Sequence, residues 1–368
     1  MDSFKGSLKA VEACRIVADS LSAVLPYDQI VTKPMADGGE GTAEAMMKAP
    51  GGTWIPQTVM GPLPDMQVEA GFAWFDHDRS ALVEMASASG LELLTEQQMN
   101  PLLTTTFGTG QLIKAASEHG AERIMLAVGG SATVDGGVGA ATALGWRFLD
   151  GGGCDIPFGG GSLESIMTIC EPADLNLPPV QVLCDVDNPL CGPNGAAAIY
   201  APQKGATPEM VEQLEAGLAN LAEIVRRNLG HDIENVPGAG AAGGLSAGAI
   251  AFMNAELVSG VETIIACYNL RAELESADWV ITGEGSFDEQ SLSGKVVSGI
   301  IDAAAESSTQ VAVIAGRVNI SQDQWQQAGI KIAMPAAPPE MPLADALSDS
   351  RNLLRLATER FARQYLEK

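Results

Sequence analysis

The sequence is poor in aromatic residues, histidine and basic residues, and it has no long apolar run. Of its 368 residues 5% are aromatic and three are histidine, and 21 Lys and Arg stand against 46 Asp and Glu, for a formal net charge of −25 at pH 7. Such an acidic chain lacks the basic face that nucleic acids and anionic membranes require. No apolar run reaches the ~18 residues of a transmembrane helix. Because the N-terminal residues also lack the features of a signal peptide, we expect a cytoplasmic protein.

The cysteines exclude two further classes of protein. The six cysteines follow neither the paired spacing of a zinc site nor the regular spacing of a disulfide framework, and the three histidines (His77, His119 and His231) are far apart. A zinc site is therefore not expected. We expect the thiols to be reduced and structural.

Glycine and small apolar residues are abundant instead. The chain has 41 glycines and is 46% hydrophobic, which favours an α/β protein rich in turns. In the last third, apolar runs that predict strands at 279–282, 311–315 and 330–334 alternate with helical spacing, which predicts a parallel, doubly wound sheet. Helical spacing also predicts helices at 7–24, with Ser7 as a possible N-cap, and at 342–366, and the segment 30–33 predicts a short strand. Residues 54–85 instead predict consecutive strands without helices. Since a single core stops growing at about 250–300 residues, two domains are expected.

The stretch 123–146 carries the strongest single pattern. An apolar run at 124–128 is followed by the glycine-rich segment 129–139 and then by small apolar residues. This order predicts a buried strand, a tight turn and the start of a helix. Such a turn offers backbone N–H groups and the positive end of a helix to an anion. A tight connection that binds nothing is the alternative.

Three other turns place acidic residues beside glycine or asparagine, at 37–41, 185–188 and 283–288. Together with the segment 129–139 they predict a carboxylate-rich crevice, which would repel anions unless Mg²⁺ is bound there. Mg²⁺ that is shared between carboxylates and nucleotide phosphates is typical of phosphoryl transfer. For each turn on its own, an acid that caps a helix N-terminus is the alternative.

Four of the 21 basic residues lie beside glycine in predicted turns: Lys5, Lys204, Lys295 and Arg317. A cation in such a position can reach a phosphate or a carboxylate. A solvated surface side chain is the alternative for each of them.

Two glycine patterns carry less weight. Residues 238–243 fit G-x-G-x-x-G and residues 244–248 fit G-x-S-x-G. Neither pattern follows a predicted strand, which the dinucleotide fingerprint and the nucleophile elbow both require.

Ten segments, taken in order, resemble the bacterial glycerate kinase family over essentially the whole chain. They are Asp2–Leu8, Met35–Thr42, Glu84–Leu93, Thr105–Gly110, Gly129–Gly137, Phe158–Ser162, Cys184–Leu190, Pro202–Gly205, Pro237–Gly244 and Gly283–Ser291. The resemblance implies ATP-dependent phosphorylation of D-glycerate in the presence of Mg²⁺, with 2-phosphoglycerate rather than 3-phosphoglycerate as the product.

The resemblance also implies an architecture. Both chain ends (1–58 and 265–368) would form a Rossmann-like parallel-sheet domain, an α/β domain (59–264) would be inserted between them, and the active site would lie in the cleft. Two features depart from the family. Met1 directly precedes Asp2, where relatives have a short apolar strand, so this first strand is expected to be missing; and Val134 stands where Asn is common.

The turns and the resemblance together give the candidate site residues. Asp185, Asp187 and Asp288 would hold Mg²⁺ or orient the attacking hydroxyl, with Asp185 and Asp288 as the metal ligands. Lys5 and Lys295 would neutralise phosphate or carboxylate charge, with Arg317 as a secondary candidate. The candidate nucleotide-binding residues are Gly129, Gly130, Ser131, Thr133, Asp135, Gly136, Gly240, Gly243, Gly283 and Glu284.

Two other functions stay open at this point. A protein of the same family could bind nucleotide or metabolite with impaired catalysis because its first strand is missing. An NAD-dependent oxidoreductase would rest only on the pattern at 238–243. The expected partners are small molecules, not nucleic acid or membrane. A homodimer is one candidate assembly.

Overall fold

A computed structural model of the chain describes residues 1–36, 38–39, 41–48, 52–292 and 295–367. Asp37 and Glu40 of one acid-bearing turn therefore lie outside the described residues, as do Ser293 and Gly294. The strands are β1 (Thr53–Met60), β2 (Gln67–Phe75), β3 (Ser80–Glu84), β4 (Arg123–Ala127), β5 (Arg147–Leu149), β6 (Thr168–Cys170), β7 (Val180–Leu183), β8 (Glu256–Val258), β9 (Trp279–Thr282), β10 (Ser286–Phe287), β11 (Gln310–Ala315), β12 (Arg317–Val318) and β13 (Ile330–Pro335).

The helices alternate with these strands over most of the chain, which confirms the α/β class. They are α1 (Ala10–Val24), α2 (Thr42–Lys48), α3 (Ala86–Ser89), α4 (Phe107–Glu118), α5 (Val138–Ala143), α6 (Ala196–Tyr200), α7 (Pro208–Leu229), α8 (Ala241–Met253), α9 (Gly260–Cys267), α10 (Leu270–Leu274), α11 (Val296–Ala304), α12 (Gln322–Gln327), α13 (Leu343–Ser348) and α14 (Ser350–Phe361). Among the described residues, no helix is both long enough and apolar enough to span a membrane.

The chain divides into two compact units. The first unit comprises Met1–Asp37, Glu44–Gly51 and Val261–Lys368, and the second comprises Gly38–Ala43 and Gly52–Gly260. The predicted domains were 1–58 with 265–368, and 59–264. The main difference is that Gly38–Ala43 and residues 52–58 belong to the second unit and not to the first. The assignment of two folding domains stays a prediction.

The first unit contains a parallel sheet in the order β13-β11-β9. Its core is made by apolar side chains of β11, such as Ala312 and Ile314, together with residues of α1 and α14 such as Leu21 and Phe361. Strands that alternate with helices in sequence pair in parallel here, as the apolar runs of the last third predict.

The second unit contains a mixed sheet in the order β1-β2-β3-β4-β7-β8. β1, β2 and β3 pair antiparallel, which confirms the prediction of consecutive strands without helices at 54–85. β3, β4, β7 and β8 are parallel neighbours. Their carboxyl ends therefore lie along one edge, where ligands bind in open α/β sheets.

Several local predictions were wrong. α1 begins at Ala10 and not at residue 7, because the Ser7 hydroxyl donates to the Phe4 carbonyl (3.0 Å) within a turn and does not cap the helix. The segment 30–33 is not a strand; the side chain of Val31 is 53% exposed, so it has no buried face to hold it. The predicted C-terminal helix 342–366 is interrupted at Asp349, which separates α13 from α14.

Candidate functional site

The carboxyl edge of the second unit's sheet gathers polar residues from neighbouring strands. Asp185 follows β7 and accepts hydrogen bonds from the Ser259 hydroxyl (2.7 Å) and the Gly260 amide (3.1 Å), which follow β8. The Gly129 amide, after β4, donates to the Gly38 carbonyl (3.2 Å). Asp185 thus serves in part as the predicted helix cap, since Gly260 is the first residue of α9.

The glycine-rich segment after β4 has an accessible half and a buried half. Gly129 and Ser131 are half-buried and Gly130 is exposed, whereas every residue of 132–139 is buried. The amides of Gly130 and Ser131 donate to no acceptor among the described residues. Only the short stretch 129–131, which we call the anion turn, can present its backbone to a ligand. Val134 is fully buried in the hydrophobic core.

Asp135 anchors the buried half of the segment. Its carboxylate, which is 1% exposed, accepts hydrogen bonds from the amide (2.8 Å) and hydroxyl (2.9 Å) of Thr106 and from the amides of Gly137 (3.1 Å) and Gly139 (3.2 Å). Burial raises the pKa of this carboxyl, and these hydrogen bonds act against the rise. The donors on both oxygens give Asp135 a role in shaping the turn.

The segment before and within α8 packs directly on this buried half. Ala242, Gly243 and Gly244 have left-handed backbones (φ 55°, 66° and 86°). The Gly136 amide donates to the Gly243 carbonyl (3.1 Å), and a Cβ on Gly243 would lie 2.0 Å from the Thr133 carbonyl oxygen. This close approach requires glycine at position 243.

Several predicted nucleotide-binding residues are thus already buried or hydrogen-bonded within the second unit. The Gly240 amide donates to the Asn188 carbonyl (2.9 Å), and Thr133, Asp135, Gly136 and Gly243 are buried. Their assignment as direct ligand contacts stays a prediction. No strand leads directly into residues 238–243 in the described chain, since α7 is the preceding element, so the pattern there does not support an NAD site.

Lys204 is a buried cation beneath the anion turn. Its side chain, 1% exposed, donates from Nζ to Ser131 Oγ (2.6 Å) and to the Thr133 carbonyl oxygen (2.7 Å). Burial lowers the pKa of this ammonium to about 7, while the nearby Asp135 acts to raise it. The interpretation of Lys204 as a solvated surface residue is therefore wrong.

The turn after β7 holds the other predicted acids of the second unit. Asp185 is half-buried and Asp187 is exposed. Asn188 fixes the turn, because its side chain donates to the Asn194 carbonyl (2.9 Å) and accepts from the Tyr200 hydroxyl (2.7 Å). Asp187 is thus exposed beside a residue whose side chain is hydrogen-bonded through both its amide nitrogen and its amide oxygen.

The first unit brings four predicted site residues together after β9. Burial raises the pKa of the half-buried Glu284. A hydrogen bond from the Ser291 hydroxyl and the positive charges of Lys295 and Lys5 act to lower this pKa. The negative charge of Asp288 acts to raise it. Glu284 Oε1 is buried and accepts no hydrogen bond within the described residues. Lys5, Glu284, Asp288 and Lys295 form what we call the charged cluster.

The loop that carries this cluster is fixed by its backbone. The amides of Gly316 and Arg317 donate to the carbonyls of Glu284 (3.0 Å) and Gly285 (3.1 Å). A Cβ on Gly283 would lie 1.9 Å from the Ile314 carbonyl oxygen, so Gly283 permits the close packing of the loop on β11. Arg317 Nη2 donates to the Met341 carbonyl (2.8 Å), which gives its guanidinium a structural contact.

Three residues of the site were not among the predicted site residues. The sequence indicates Lys204 only as a cation in a turn, and no local pattern gives Ser259 or Glu84 a role in a site. Glu84 ends β3 and accepts a hydrogen bond from the Ala43 amide (2.9 Å). Parallel pairing of β3, β4, β7 and β8 is the signal that places Glu84 and Ser259 at the edge, and it becomes visible only once the strand order is known.

Comparison with known proteins identifies the family. The glycerate kinase family model matches residues 1–366. A glycerate kinase from Halalkalibacterium halodurans is 42% identical over 364 residues, which cover 98% of this chain and 96% of the relative. A glycerate 2-kinase from Escherichia coli is 43% identical over 332 residues, or 89% and 87% of the two chains.

A solved structure agrees with these relatives. The crystal structure of a glycerate kinase 2 from Salmonella typhimurium LT2 has a TM-score of 0.83 and 39% sequence identity, and the match covers 98% of this chain and 96% of that one. These similarities indicate a kinase, a phosphotransferase with an alcohol group as acceptor and ATP as co-substrate. The chain therefore belongs to the glycerate kinase family.

Proposed function

We propose that the chain transfers the γ-phosphoryl group of ATP to the 2-hydroxyl of D-glycerate. The bond from phosphorus to the β,γ-bridging oxygen of ATP breaks, the hydroxyl oxygen bonds to phosphorus, and the hydroxyl proton is released, which gives ADP and 2-phosphoglycerate. The choice of the 2-hydroxyl is supported by the E. coli relative, named glycerate 2-kinase, at 43% identity.

The observation that carries the placement of an anion is the anion turn of the second unit. The amides of Gly130 and Ser131 have no acceptor within the described chain, and the ammonium of Lys204 contacts the Ser131 hydroxyl oxygen (2.6 Å). Backbone amides that are available as donors, together with a nearby cation, stabilise an oxyanion. We assign to this turn either a phosphate of ATP or the carboxylate of glycerate.

The charged cluster of the first unit would supply the remaining charge. Lys5 is exposed and Lys295 half-buried, so both can reach a ligand. Each would neutralise charge on a phosphate or on the glycerate carboxylate. Because phosphoryl transfer needs little covalent chemistry from the protein, positioning and charge neutralisation would provide most of the rate.

The residues present are compatible with Mg²⁺. Among the described residues no three His, Cys, Asp or Glu side chains form a metal-binding group. Mg²⁺ requires less, since it keeps several waters and takes one or two carboxylates together with nucleotide phosphates. Asp185 and Asp288 would hold it, and the buried, unpartnered Oε1 of Glu284 is the kind of oxygen that a cation satisfies. The ion would neutralise phosphate charge.

The test is ADP formation that depends on D-glycerate, measured for the wild type and three single variants. Asp185→Asn, Asp187→Asn and Asp288→Asn should each lower kcat/KM by at least about tenfold, which corresponds to ~1.4 kcal/mol. Asp174→Asn, at an exposed residue outside both sites, is the matched control. If all three variants stay within about threefold of wild type, under ~1 kcal/mol, the assignment of these acids is wrong.

The same assay separates an enzyme from a binding protein. Turnover of ATP only in the presence of D-glycerate supports the proposal. Thermal stabilisation by ATP and Mg²⁺ without any turnover would instead indicate a nucleotide-binding protein of this family.

A further inference from the structure

Lys204 is a buried titratable group, and the proposed reaction includes no proton transfer to or from it. Its Nζ donates to two neutral oxygens, the Ser131 hydroxyl and the Thr133 carbonyl. The charged group that acts on it within the described residues is Asp135, whose carboxylate is already held by four donor groups, on Thr106, Gly137 and Gly139. A charge buried without a close ion pair is costly, so the lysine must serve either packing or a ligand.

The hydroxyl of Ser131 connects this lysine to the anion turn. An ammonium has three N–H donors and no acceptor, so a protonated Lys204 can only donate to Ser131 Oγ. The hydroxyl proton of Ser131 must then point elsewhere, and the half-buried position of Ser131 lets it point towards a ligand. A neutral amine has a lone pair, accepts the hydroxyl proton, and leaves oxygen lone pairs facing an incoming anion.

We propose that Lys204 is a positioning residue, which orients the Ser131 hydroxyl as a donor and supplies the counter-charge for an oxyanion bound at the anion turn. The proposal rests on the proposed function, because that oxyanion is a phosphate of the nucleotide or the carboxylate of glycerate. Binding and protonation are linked: the oxyanion binds the form with protonated Lys204, and its charge in turn holds the proton on the lysine.

The direction of the pH dependence follows from this linkage. The pKa of Lys204 in the free protein is about 7, below its ordinary value because the side chain is buried. Below that pH the lysine is already protonated and the KM of the ligand is independent of pH. Above it the protein must take up a proton on binding, so KM rises, by up to about tenfold per pH unit. A lysine that only fills space would give no such rise.

The experiment is titration calorimetry at pH 7.5 in two buffers of different ionisation enthalpy, which measures the protons taken up on binding. D-glycerate and a non-hydrolysable ATP analogue with Mg²⁺ are titrated separately. The wild type should take up about three quarters of a proton with one of the two ligands, because a group with a pKa of about 7 is mostly neutral at this pH. The ligand that shows the uptake identifies the oxyanion as carboxylate or phosphate.

Two variants isolate the lysine. Lys204→Met keeps the apolar stem and removes the charge, and it should abolish the excess proton uptake and flatten the dependence of KM on pH. Lys114→Met, at an exposed residue of α4, should behave as wild type. The proposal is overturned if the wild type and Lys204→Met take up the same number of protons with both ligands.

A third variant keeps the test decisive if Lys204→Met does not fold. Ser131→Ala alters a half-buried turn residue and should raise the KM of the same ligand at pH 6 about tenfold, with kcat within about threefold. An unchanged KM would overturn the proposal. Failure of the proposed function would look different: no turnover of D-glycerate by the wild type, while proton uptake with the nucleotide analogue would still report on Lys204.

Discussion

The carboxylate of Asp135 accepts hydrogen bonds from both the amide and the hydroxyl of Thr106, at 2.8 and 2.9 Å. The Thr106 hydroxyl oxygen also accepts from the Ala140 amide (2.9 Å), so the start of α4 and the start of α5 share one buried polar network. The network holds the glycine-rich segment in a single shape and leaves the anion turn as its accessible part. A binding turn is thus positioned by residues that do not themselves reach the surface.

Asp135→Asn should destabilise the fold. Both carboxylate oxygens accept main-chain N–H groups, Oδ1 from Gly137 and Oδ2 from Thr106 and Gly139, so either orientation of an asparagine amide sets an NH₂ against a donor. We expect a loss of at least about 2 kcal/mol in the free energy of unfolding, measured by urea denaturation. Asp155→Asn, at an exposed ion pair with Arg147, should leave the midpoint unchanged. Equal midpoints for both variants would contradict the role of the network.

Gly243→Ala tests the packing of α8 on the segment after β4. The added Cβ would lie 2.0 Å from the Thr133 carbonyl oxygen, at a residue with φ 66°. Gly153→Ala is the matched control, because its φ is 77° and nothing lies within 4 Å. The control should cost about 1–2 kcal/mol from backbone strain alone, and Gly243→Ala should cost clearly more in urea denaturation. Similar costs would mean that the segment adapts readily.

Local patterns predicted most of the fold. The apolar run 124–128 and the glycines after it predict the strand β4, the turn and α5, and all three are observed. Parallel pairing in the first unit likewise follows from alternating strands and helices. The strand predicted at 30–33 was wrong because a short apolar run carries no information on whether a neighbour will pair with it.

The site was less predictable because its key contacts join distant residues. Whether the segment 129–139 is open or covered depends on Gly243, more than 100 residues away, which packs on it. Lys204 lies in the sequence Pro-Gln-Lys-Gly, which is typical of an exposed turn, and its burial depends on Ser131 and Thr133. Composition and spacing do not encode such pairs directly.

Glu284→Gln should raise the stability of the protein at pH 7 and lower its activity. Burial raises the pKa of Glu284 in the folded state, so the folded state binds a proton more tightly than the unfolded one. Wild-type stability therefore rises as the pH falls towards the ordinary value of a glutamate, ~4.3, and the variant lacks this slope. The variant should have the higher Tm at pH 7, and its advantage should shrink at pH 5.

Activity should move in the opposite direction. Because Glu284 belongs to the charged cluster, kcat/KM of the variant should fall about tenfold or more. Glu306→Gln, at an exposed residue, is the control for both measurements. A Glu284→Gln protein that is less stable than wild type at pH 7, or fully active, would contradict the role given to this carboxylate.

Removal of divalent metal should stop the reaction. A chelator should abolish ADP formation and added Mg²⁺ should restore it, because the phosphate charge is otherwise unneutralised. Asp185→Asn and Asp288→Asn should each raise the Mg²⁺ concentration for half-maximal activity by about tenfold. If neither variant shifts that concentration, these carboxylates are not metal ligands and act on the substrate instead.

In the proposed reaction the 2-hydroxyl of D-glycerate receives the phosphoryl group. The most direct measurement adds enolase alone to the reaction of ATP, Mg²⁺ and D-glycerate, and follows phosphoenolpyruvate by its ultraviolet absorbance. Enolase acts on 2-phosphoglycerate and not on 3-phosphoglycerate. We predict that phosphoenolpyruvate forms with enolase alone; its formation only after a phosphoglycerate mutase is also added would show transfer to the 3-hydroxyl and contradict the proposed reaction.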